Sequence, residues 1–375
     1  MNILFINVME ERHGSTYRAR RLASLLAAKH TVCYLESNCN DKKEVFPSDI
    51  NNGNRVISIP QKGSAAGFIL ASLKRCLFCL REDFDLIFLQ KAWPLTLPCL
   101  VIAKLRRKKV VIDCDDLDSL WFKSPLRKGL TSMTEKLMPK WADLTTTHNK
   151  YLKRYIKNEG GIEAVIVPQG VDTELFDPLR FNPLLEKRGL SLENKKVYAF
   201  LGSFTYGSAM DLHTILRAMQ QIIKRQTNAI LLIIGGGGPL EKEYRDLISN
   251  LGISNHVIIT GRVPHSQVPR YLAASDIGLI FMSDDFANKT RVSFKLLEYF
   301  SMNLQVVGHI VGESMDTLGE YCFLCQPTPE SMADLVLTVT QKDLRKGNAR
   351  RFIKEHYDWN VIGKSLDQAI RRVEN

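Results

Sequence analysis

The sequence predicts an α/β protein built from two doubly wound, all-parallel sheets, one in each half of the chain. Three observations predict it. Short runs are apolar throughout, amphipathic helical stretches separate them, and a Pro-, Gly- and acid-rich break at residues 167–178 is followed by the same alternation starting again. A strand that is apolar on both faces must be covered on both faces, and helical crossovers between parallel strands do that.

The elements follow in order. In the first half, strands are expected at residues 3–8, 31–35, 56–59, 86–89, 110–112, 144–147 and 164–167, with a helix at 17–28 and helical stretches between most of the others. In the second half, strands are expected at 197–201, 230–234, 257–260, 277–281 and 305–307. Helices are expected at 211–224, 240–250, 267–274, 292–301, 330–340 and 344–357, and a closing helix at 360–372. This divides the chain into a first domain over 1–178, a second over 179–357, and a C-terminal helix in 358–375 that packs back toward the first. Two such domains face a cleft, and ligands of open parallel sheets bind at the carboxyl ends of the strands.

Composition narrows the function. The 375 residues are 45% hydrophobic and 24% charged, the balance of a globular protein and not of a disordered one. No apolar run approaches the ~20 residues of a membrane-spanning helix. The start lacks the basic residue and small-residue cleavage site of a signal peptide, so a cytoplasmic protein is expected. Two CxxC pairs, Cys76/Cys79 and Cys322/Cys325, are flanked by large apolar residues and lack the turn-forming neighbours of a zinc knuckle, so no metal site is expected. Net charge is +11, concentrated in residues 1–178, which carry 27 basic and 20 acidic groups. That charge suits a phosphorylated ligand or an anionic membrane surface at whose inner face the protein would be peripheral. Nucleic acid is disfavoured, because the basic clusters are not interleaved with aromatics and no known module is present.

Loops directly after strands carry the candidate chemistry. After the first strand, His13, Gly14 and Ser15 open a helix whose positive end attracts anions; the loop is not GxGxxG, which argues against a dinucleotide cofactor. Gly235 begins a four-glycine loop that either cradles a phosphate or makes a tight strand-to-helix turn. Asp113, Asp115 and Asp116, with Asp118, place four carboxylates just after a strand, a density that calls for a cation, a cationic side chain or substrate hydroxyls to offset it; they are the candidate catalytic groups, and helix capping is the plain alternative. Arg291, Lys295 and Glu298 recur at helical spacing along one face. Two cations at a helix N-terminus can hold a diphosphate, and a carboxylate further along can accept hydrogen bonds from a ribose diol.

The ordered set Ala142-Asp143, 167–172 (VPQGVD), Phe176-Asp177-Pro178, 231–237 (LLIIGGG), 259–264 (ITGRVP), 271–276 (YLAASD) and 295–299 (KLLEY) resembles the retaining glycosyltransferases of family 4, which have the two-domain GT-B architecture. The resemblance implies an acceptor-binding first domain and a nucleotide-sugar-binding second domain. It implies a sugar moved from a UDP- or GDP-linked donor to a glycan or lipid-linked acceptor in cell-surface polysaccharide synthesis, with no cofactor beyond that co-substrate. It also implies donor contacts from Gly202, Ser203, Gly235, Arg262, Val263, Arg291, Ser293, Lys295 and Glu298, with Glu298 on the ribose, the backbone near Val263 on the base and the helix beginning near Ser293 facing the diphosphate. In the mechanism usually proposed for the family, the leaving diphosphate itself helps to deprotonate the acceptor hydroxyl.

Three departures stand out. The first glutamate of the family's Glu-x7-Glu motif falls on Thr290, so the donor sugar is expected to be recognised by Thr290 itself together with Asp285, Asn288 or Lys289. The usual Arg and Lys after the first strand of the second domain are missing from residues 202–207, and the histidine many members carry after the fourth main strand is replaced by residues 113–116 (DCDD). An epimerase of the same fold and a catalytically silent binding protein are the alternatives these departures raise.

Overall fold

The computed structural model describes residues 1–10, 14–38, 54–61, 64–205, 211–342 and 348–374. They form two compact units, one of residues 1–169 with 359–375 and the other of residues 170–358.

The first unit is a seven-stranded parallel sheet of β1 (Asn2–Glu10), β2 (Thr31–Asn38), β3 (Arg55–Pro60), β4 (Leu86–Gln90), β5 (Lys109–Cys114), β6 (Leu144–Thr147) and β7 (Val165–Ile166), in the order β3-β2-β1-β4-β5-β6-β7. Its central strands are buried throughout, so Leu4, Ile6, Ile87, Leu89, Val110 and Ile112 join one core. The reversal of strand order falls between β1 and β4, where Gln90 at the end of β4 reaches the start of the helix that follows β1. The helix Gly14–Ala27 packs beside the C-terminal helix Trp359–Glu374, where Trp359 Nε1 donates to the Tyr17 hydroxyl at 3.3 Å and Lys29 pairs with Asp367 at 2.9 Å.

The second unit is a six-stranded parallel sheet of β8 (Lys196–Gly202), β9 (Ala229–Gly235), β10 (Val257–Ile259), β11 (Ile277–Phe281), β12 (Gln305–His309) and β13 (Cys322–Leu324), in the order β10-β9-β8-β11-β12-β13. Two apolar clusters cover its faces. The sequence pattern does not reveal β13, because a three-residue edge strand is too short to show a period.

Residues 170–178 belong to the second unit, not the first. Phe176 is buried in the second core, the Val171 amide donates to the Tyr357 carbonyl at 2.8 Å, and Arg350 pairs with Asp177 at 3.0 Å. The Pro/Gly-rich composition marks the change of unit, but the apolar side chains within the break decide which core receives it. Asp358 likewise stays with the second unit, bridging to Val171.

In the second sheet β8 and β11 pair only at Ile277↔Tyr198 and Gly278↔Ala199, whereas β8 pairs with β9 out to Gly202↔Gly235 and β11 with β12 out to Phe281↔His309. The two central strands therefore fork toward their carboxyl ends. Tyr299, from the helix Phe294–Ser301, fills the fork: its hydroxyl accepts from the Leu201 amide at 2.9 Å and lies 3.4 Å from the Ala199 and Leu279 carbonyls, to either of which it can donate. Its ring lies so close to β11 that a Cβ on Gly278 would come within 2.6 Å of it. Burial drives the Tyr299 phenol well above its usual pKa, so it stays a neutral donor and acceptor.

Tyr299→Phe removes the partner of the Leu201 amide and is expected to cost about 1–3 kcal/mol in urea unfolding with little change in m-value. An unchanged midpoint would mean that the hydroxyl does not hold the fork.

Candidate active site

The fork is the switch point of the second sheet, and beyond it Asp211, at the start of the helix that follows β8, meets the loop after β11. After β11 the chain is stitched into a fixed shape by polar side chains. The Ser283 amide donates to Asp211 at 3.0 Å and the Ser283 hydroxyl bonds the same carboxylate. Asp285 caps the short helix Phe286–Lys289, accepting from the Asn288 amide at 2.8 Å. The buried Asn288 side chain donates to the Ser283 carbonyl at 3.2 Å and to Asp285 at 3.0 Å. Thr290 is buried, with its hydroxyl donating to the Ala287 carbonyl at 3.0 Å, and Lys289 pairs with Asp284 at 2.6 Å. The structure thus turns Asn288 and Thr290 inward to shape the loop, which corrects the expectation that they face a sugar; Asp285 holds the same turn.

The next helix, Phe294–Ser301, starts at Ser293 and buries Leu296, Leu297, Tyr299 and Phe300. That burial leaves Lys295 and Glu298, one turn apart, on the helix itself, while Arg291 lies two residues ahead of Ser293, outside the helix expected over 292–301, with its charge close enough to act on Lys295. The Lys295 ammonium sits 4.3 Å over the Phe200 ring of β8. Burial, with the like charge of Arg291 second, pushes the Lys295 pKa down to about 7, against the opposing pull of Asp211 and Glu298. Glu298 is nearly buried, and one carboxylate oxygen lies 2.7 Å from His265 Nε2, whose ring packs against Phe176. His265 therefore fixes how Glu298 points. Arg262 is exposed, and Val263 is half-buried against the core.

The four-glycine loop is a tight turn. The Gly235 and Gly236 amides donate to Thr260 Oγ1 at 3.0 Å and to the Gly202 carbonyl at 3.1 Å, and the Gly237 and Gly238 region is bonded to the Phe204 backbone. A Cβ on Gly235, at φ +132°, would lie 2.2 Å from the Gly202 carbonyl oxygen. These amides are used inside the protein, so the loop seats residues 202–205 and its first two amides do not cradle a phosphate.

The first unit brings a second set of groups to its own switch point. Asp113 is fully buried and bonded to the Arg18 guanidinium at 2.8 and 2.9 Å and to the Thr146 hydroxyl at 2.7 Å. Arg18 also donates to the carbonyls of Val167 and Pro168, both at 2.8 Å. Asp113 is therefore a structural tie, which corrects its reading as a catalytic group.

Lys91, just after β4, is buried at φ +74° and lies 2.8 Å from Asp115 and 2.9 Å from Asp118. Burial pushes the Asp115 carboxyl up, but the Lys91 ammonium more than offsets it and holds Asp115 below its usual pKa; for Asp118 burial prevails and the pKa rises. Asp116 is half-buried beside them. Ser15 accepts a hydrogen bond from Gln90 Nε2 at 2.7 Å through its carbonyl, Gly14 is exposed at the start of its helix, and His13 lies outside the described residues. Lys91 and Arg18 were missed because a single cation in or after an apolar run carries no period; Asp211 and His265 were missed because they reach the site only through folding.

The family models for Glycosyltransferase Family 4 and for Glycosyl transferases group 1 match residues 13–175 and 195–342. The chain belongs to this family of GT-B glycosyltransferases. A chitobiosyldiphosphodolichol beta-mannosyltransferase of Candida albicans is 25% identical over 60% of this chain and 52% of its own length. A GDP-mannose-dependent alpha-(1-6)-phosphatidylinositol monomannoside mannosyltransferase of Mycolicibacterium smegmatis is 29% identical over 36% of this chain and 35% of its own. The chain thus spans about a third to a half of the length of these relatives. Among solved structures, sucrose-phosphate synthase from Thermosynechococcus elongatus superposes with a TM-score of 0.80 at 17% identity, covering 100% of this chain and 99% of that one. Anabaena Alr3699/HepE in complex with UDP-glucose gives 0.78 at 16% identity, covering 99% of each.

Asp113→Ala strands a buried guanidinium and is expected to lower stability by about 3–5 kcal/mol, measured by chemical denaturation. A loss below about 1 kcal/mol would remove the tie from the account.

Proposed function

We propose that the protein transfers a sugar from a UDP- or GDP-linked donor to a glycan or lipid-linked acceptor, with retention, in the synthesis of a cell-surface polysaccharide. The observation that carries this reading is the pair Lys295 and Glu298 on the helix Phe294–Ser301, with the charge of Arg291 beside Lys295, beyond the fork of β8 and β11, in a chain of this family. The names of the relatives, which specify a dolichol-linked and a phosphatidylinositol acceptor and in one case GDP-mannose, support a lipid-linked acceptor, and the UDP-glucose held by one structural neighbour keeps uracil beside guanine as the base.

In this mechanism Arg291, Lys295 and the amides at the start of Phe294–Ser301 receive the donor diphosphate, and Glu298, aimed by His265, accepts hydrogen bonds from the ribose hydroxyls. The backbone near Val263 meets the base, with Arg262, Gly202 and Ser203 at its edge. Because Asn288 and Thr290 are committed to the loop and Asp285 caps its turn, Lys289 is the remaining group of that segment for the sugar. The bond from the anomeric carbon to the diphosphate oxygen breaks, the acceptor oxygen bonds to that carbon, and the acceptor proton passes to the departing diphosphate. Fixed positive charge near the leaving group lowers the barrier without reorganising as charge develops. On the acceptor side Asp116 is the accessible carboxylate, since Lys91 already neutralises Asp115; Gly14 and Ser15 would flank it.

Thermal-shift screening against UDP-, GDP- and CMP-sugars is expected to raise Tm with one base class, and Glu298→Ala to cut that donor's affinity by about tenfold or more. A chain that binds a donor yet gives neither transfer nor hydrolysis would be a silent binding protein, and turnover of the nucleotide sugar with no acceptor into an isomer would make it an epimerase.

Lys295 imposes a pH signature. Below pH 7 its ammonium is already charged; above pH 7 binding an anion requires proton uptake, so donor affinity is expected to fall toward tenfold per pH unit as pH rises. Lys295→Arg keeps the charge and should flatten the profile in calorimetric titrations between pH 6.5 and about 8.5; an equally flat parent would exclude Lys295 from the diphosphate.

A further inference from the structure

Large apolar side chains are exposed unevenly over the protein. Among the described residues, thirteen of the twenty exposed large hydrophobics lie in the first unit, and twelve of those sit on three helices, Ala65–Arg81, Leu97–Leu105 and Pro125–Trp141. These helices connect β3 to β4, β4 to β5 and β5 to β6, crossovers that all step in the same direction across the sheet. Right-handed crossovers in one direction put their helices on one face, and the three are neighbours there.

The helix Ala65–Arg81 is amphipathic the wrong way round for an ordinary surface helix. Its core side holds Ala71, Ser72, Cys79 and the fully buried Arg75, which donates to Ser37 Oγ at 2.6 Å and Gln61 Oε1 at 2.8 Å. Its outer side is Ile69, Leu70, Leu73, Leu77 and Leu80, each 46–60% exposed. At 1.5 Å per residue this apolar stripe is about 16 Å long. The helix Pro125–Trp141 repeats the pattern: Leu126, Leu130, Met133, Leu137 and Trp141, at i, i+4, i+7, i+11 and i+15, are 42–72% exposed. Soluble proteins rarely leave contiguous apolar surface of this kind uncovered.

Charge identifies what covers it. The three helices carry eight Lys or Arg and a single acidic residue, Glu135, which is buried and bonded to Ser119. Arg127, Lys128 and Lys140 border the second stripe, and Lys123 precedes it, all exposed. Arg75 is buried, and Lys104 and Lys136 pair with Asp143 and Glu159 of neighbouring segments, so the cations these helices offer outward are chiefly Arg127, Lys128 and Lys140. Apolar side chains set among them, on helices with no exposed acid of their own, suit a surface that is hydrophobic within and anionic at its boundary, which is a bilayer bearing anionic phospholipid. None of the helices among the described residues is long and apolar enough to cross a membrane, so the mode is lying on the surface.

We infer that this three-helix face of the first unit docks on an anionic phospholipid bilayer, inserting the leucine stripes among the acyl chains while its Lys and Arg meet the headgroup phosphates. The inference goes beyond the sugar-transfer reading and does not depend on it.

The test is co-sedimentation of the full chain with vesicles of phosphatidylcholine alone or with about one third phosphatidylglycerol. The parent is expected to bind the anionic vesicles, to be released by salt, and to ignore the neutral ones. Leu73→Glu with Leu77→Glu, and separately Leu130→Glu with Met133→Glu, should each lower the bound fraction about tenfold while leaving Tm and the nucleotide-sugar thermal shift as in the parent. Arg127→Glu with Lys128→Glu should weaken binding and shift the salt midpoint downward. A parent that stays in the supernatant with both vesicle types overturns the inference, as do leucine variants of parental Tm that bind as well as the parent. A parent that is dimeric by light scattering, monomeric in the Leu73→Glu/Leu77→Glu variant and indifferent to vesicles would assign the face to a second copy of the chain instead, and would also overturn it.

Discussion

The second unit depends on the place where two adjacent parallel strands stop pairing. β8 and β11 share only two register pairs before they diverge, and divergence leaves backbone groups in the middle of a sheet without strand partners. An unpaired amide inside a protein is costly, so a fork can persist only if another group occupies it. The Tyr299 hydroxyl does so, and the absence of a side chain at Gly278 lets its ring approach. The same helix that sends Tyr299 into the fork carries Lys295 and Glu298 at its mouth. Structural closure and candidate chemistry are therefore neighbours on one helix, and neither can move without the other.

The first unit solves a similar problem by charge. Its switch point gathers four aspartates, Asp113 near the end of β5 and Asp115, Asp116 and Asp118 after it, an arrangement that would repel itself if left alone. Arg18 takes Asp113 and Lys91 takes Asp115 and Asp118, each from an element distant in sequence, so folding itself supplies the counter-ions. Buried pairs of this kind add little net stability against an apolar alternative but penalise loss of either partner, which makes them devices of specificity. Arg18 extends the device by holding the backbone at 167–168, the last residues before the chain passes into the second unit.

Much of the architecture is legible in the sequence because buried parallel strands and their crossover helices have strong local signatures: the apolar runs at 86–90 and 229–234 can hardly be anything else. The segment 283–299 also announces itself, since Lys295 and Glu298 at helical spacing share a side, although the helix begins only at Phe294 and leaves Arg291 ahead of it. Within that segment the inference weakens at Asn288 and Thr290, whose polarity suits a ligand equally well as a loop, and which the fold uses for the loop. Asp113 is the same case: a carboxylate after a strand reads as chemistry until Arg18 arrives from 95 residues away. The outward leucines of Ala65–Arg81 are hidden for a related reason, because a helix with apolar residues on more than one side does not say which side faces the core.

The sequence by itself determined the two parallel sheets, the order of their elements, the family and the helix that carries the candidate donor groups, because each of these rests on periodicity or on residues close together in the chain. Only the tertiary structure decided which carboxylates are neutralised within the protein, where the break at 167–178 belongs, how β8 and β11 part, and which sides of three helices stay exposed. These depend on contacts between residues tens to hundreds of positions apart, and local pattern carries no information about which distant partner will claim a given charge or cover a given face.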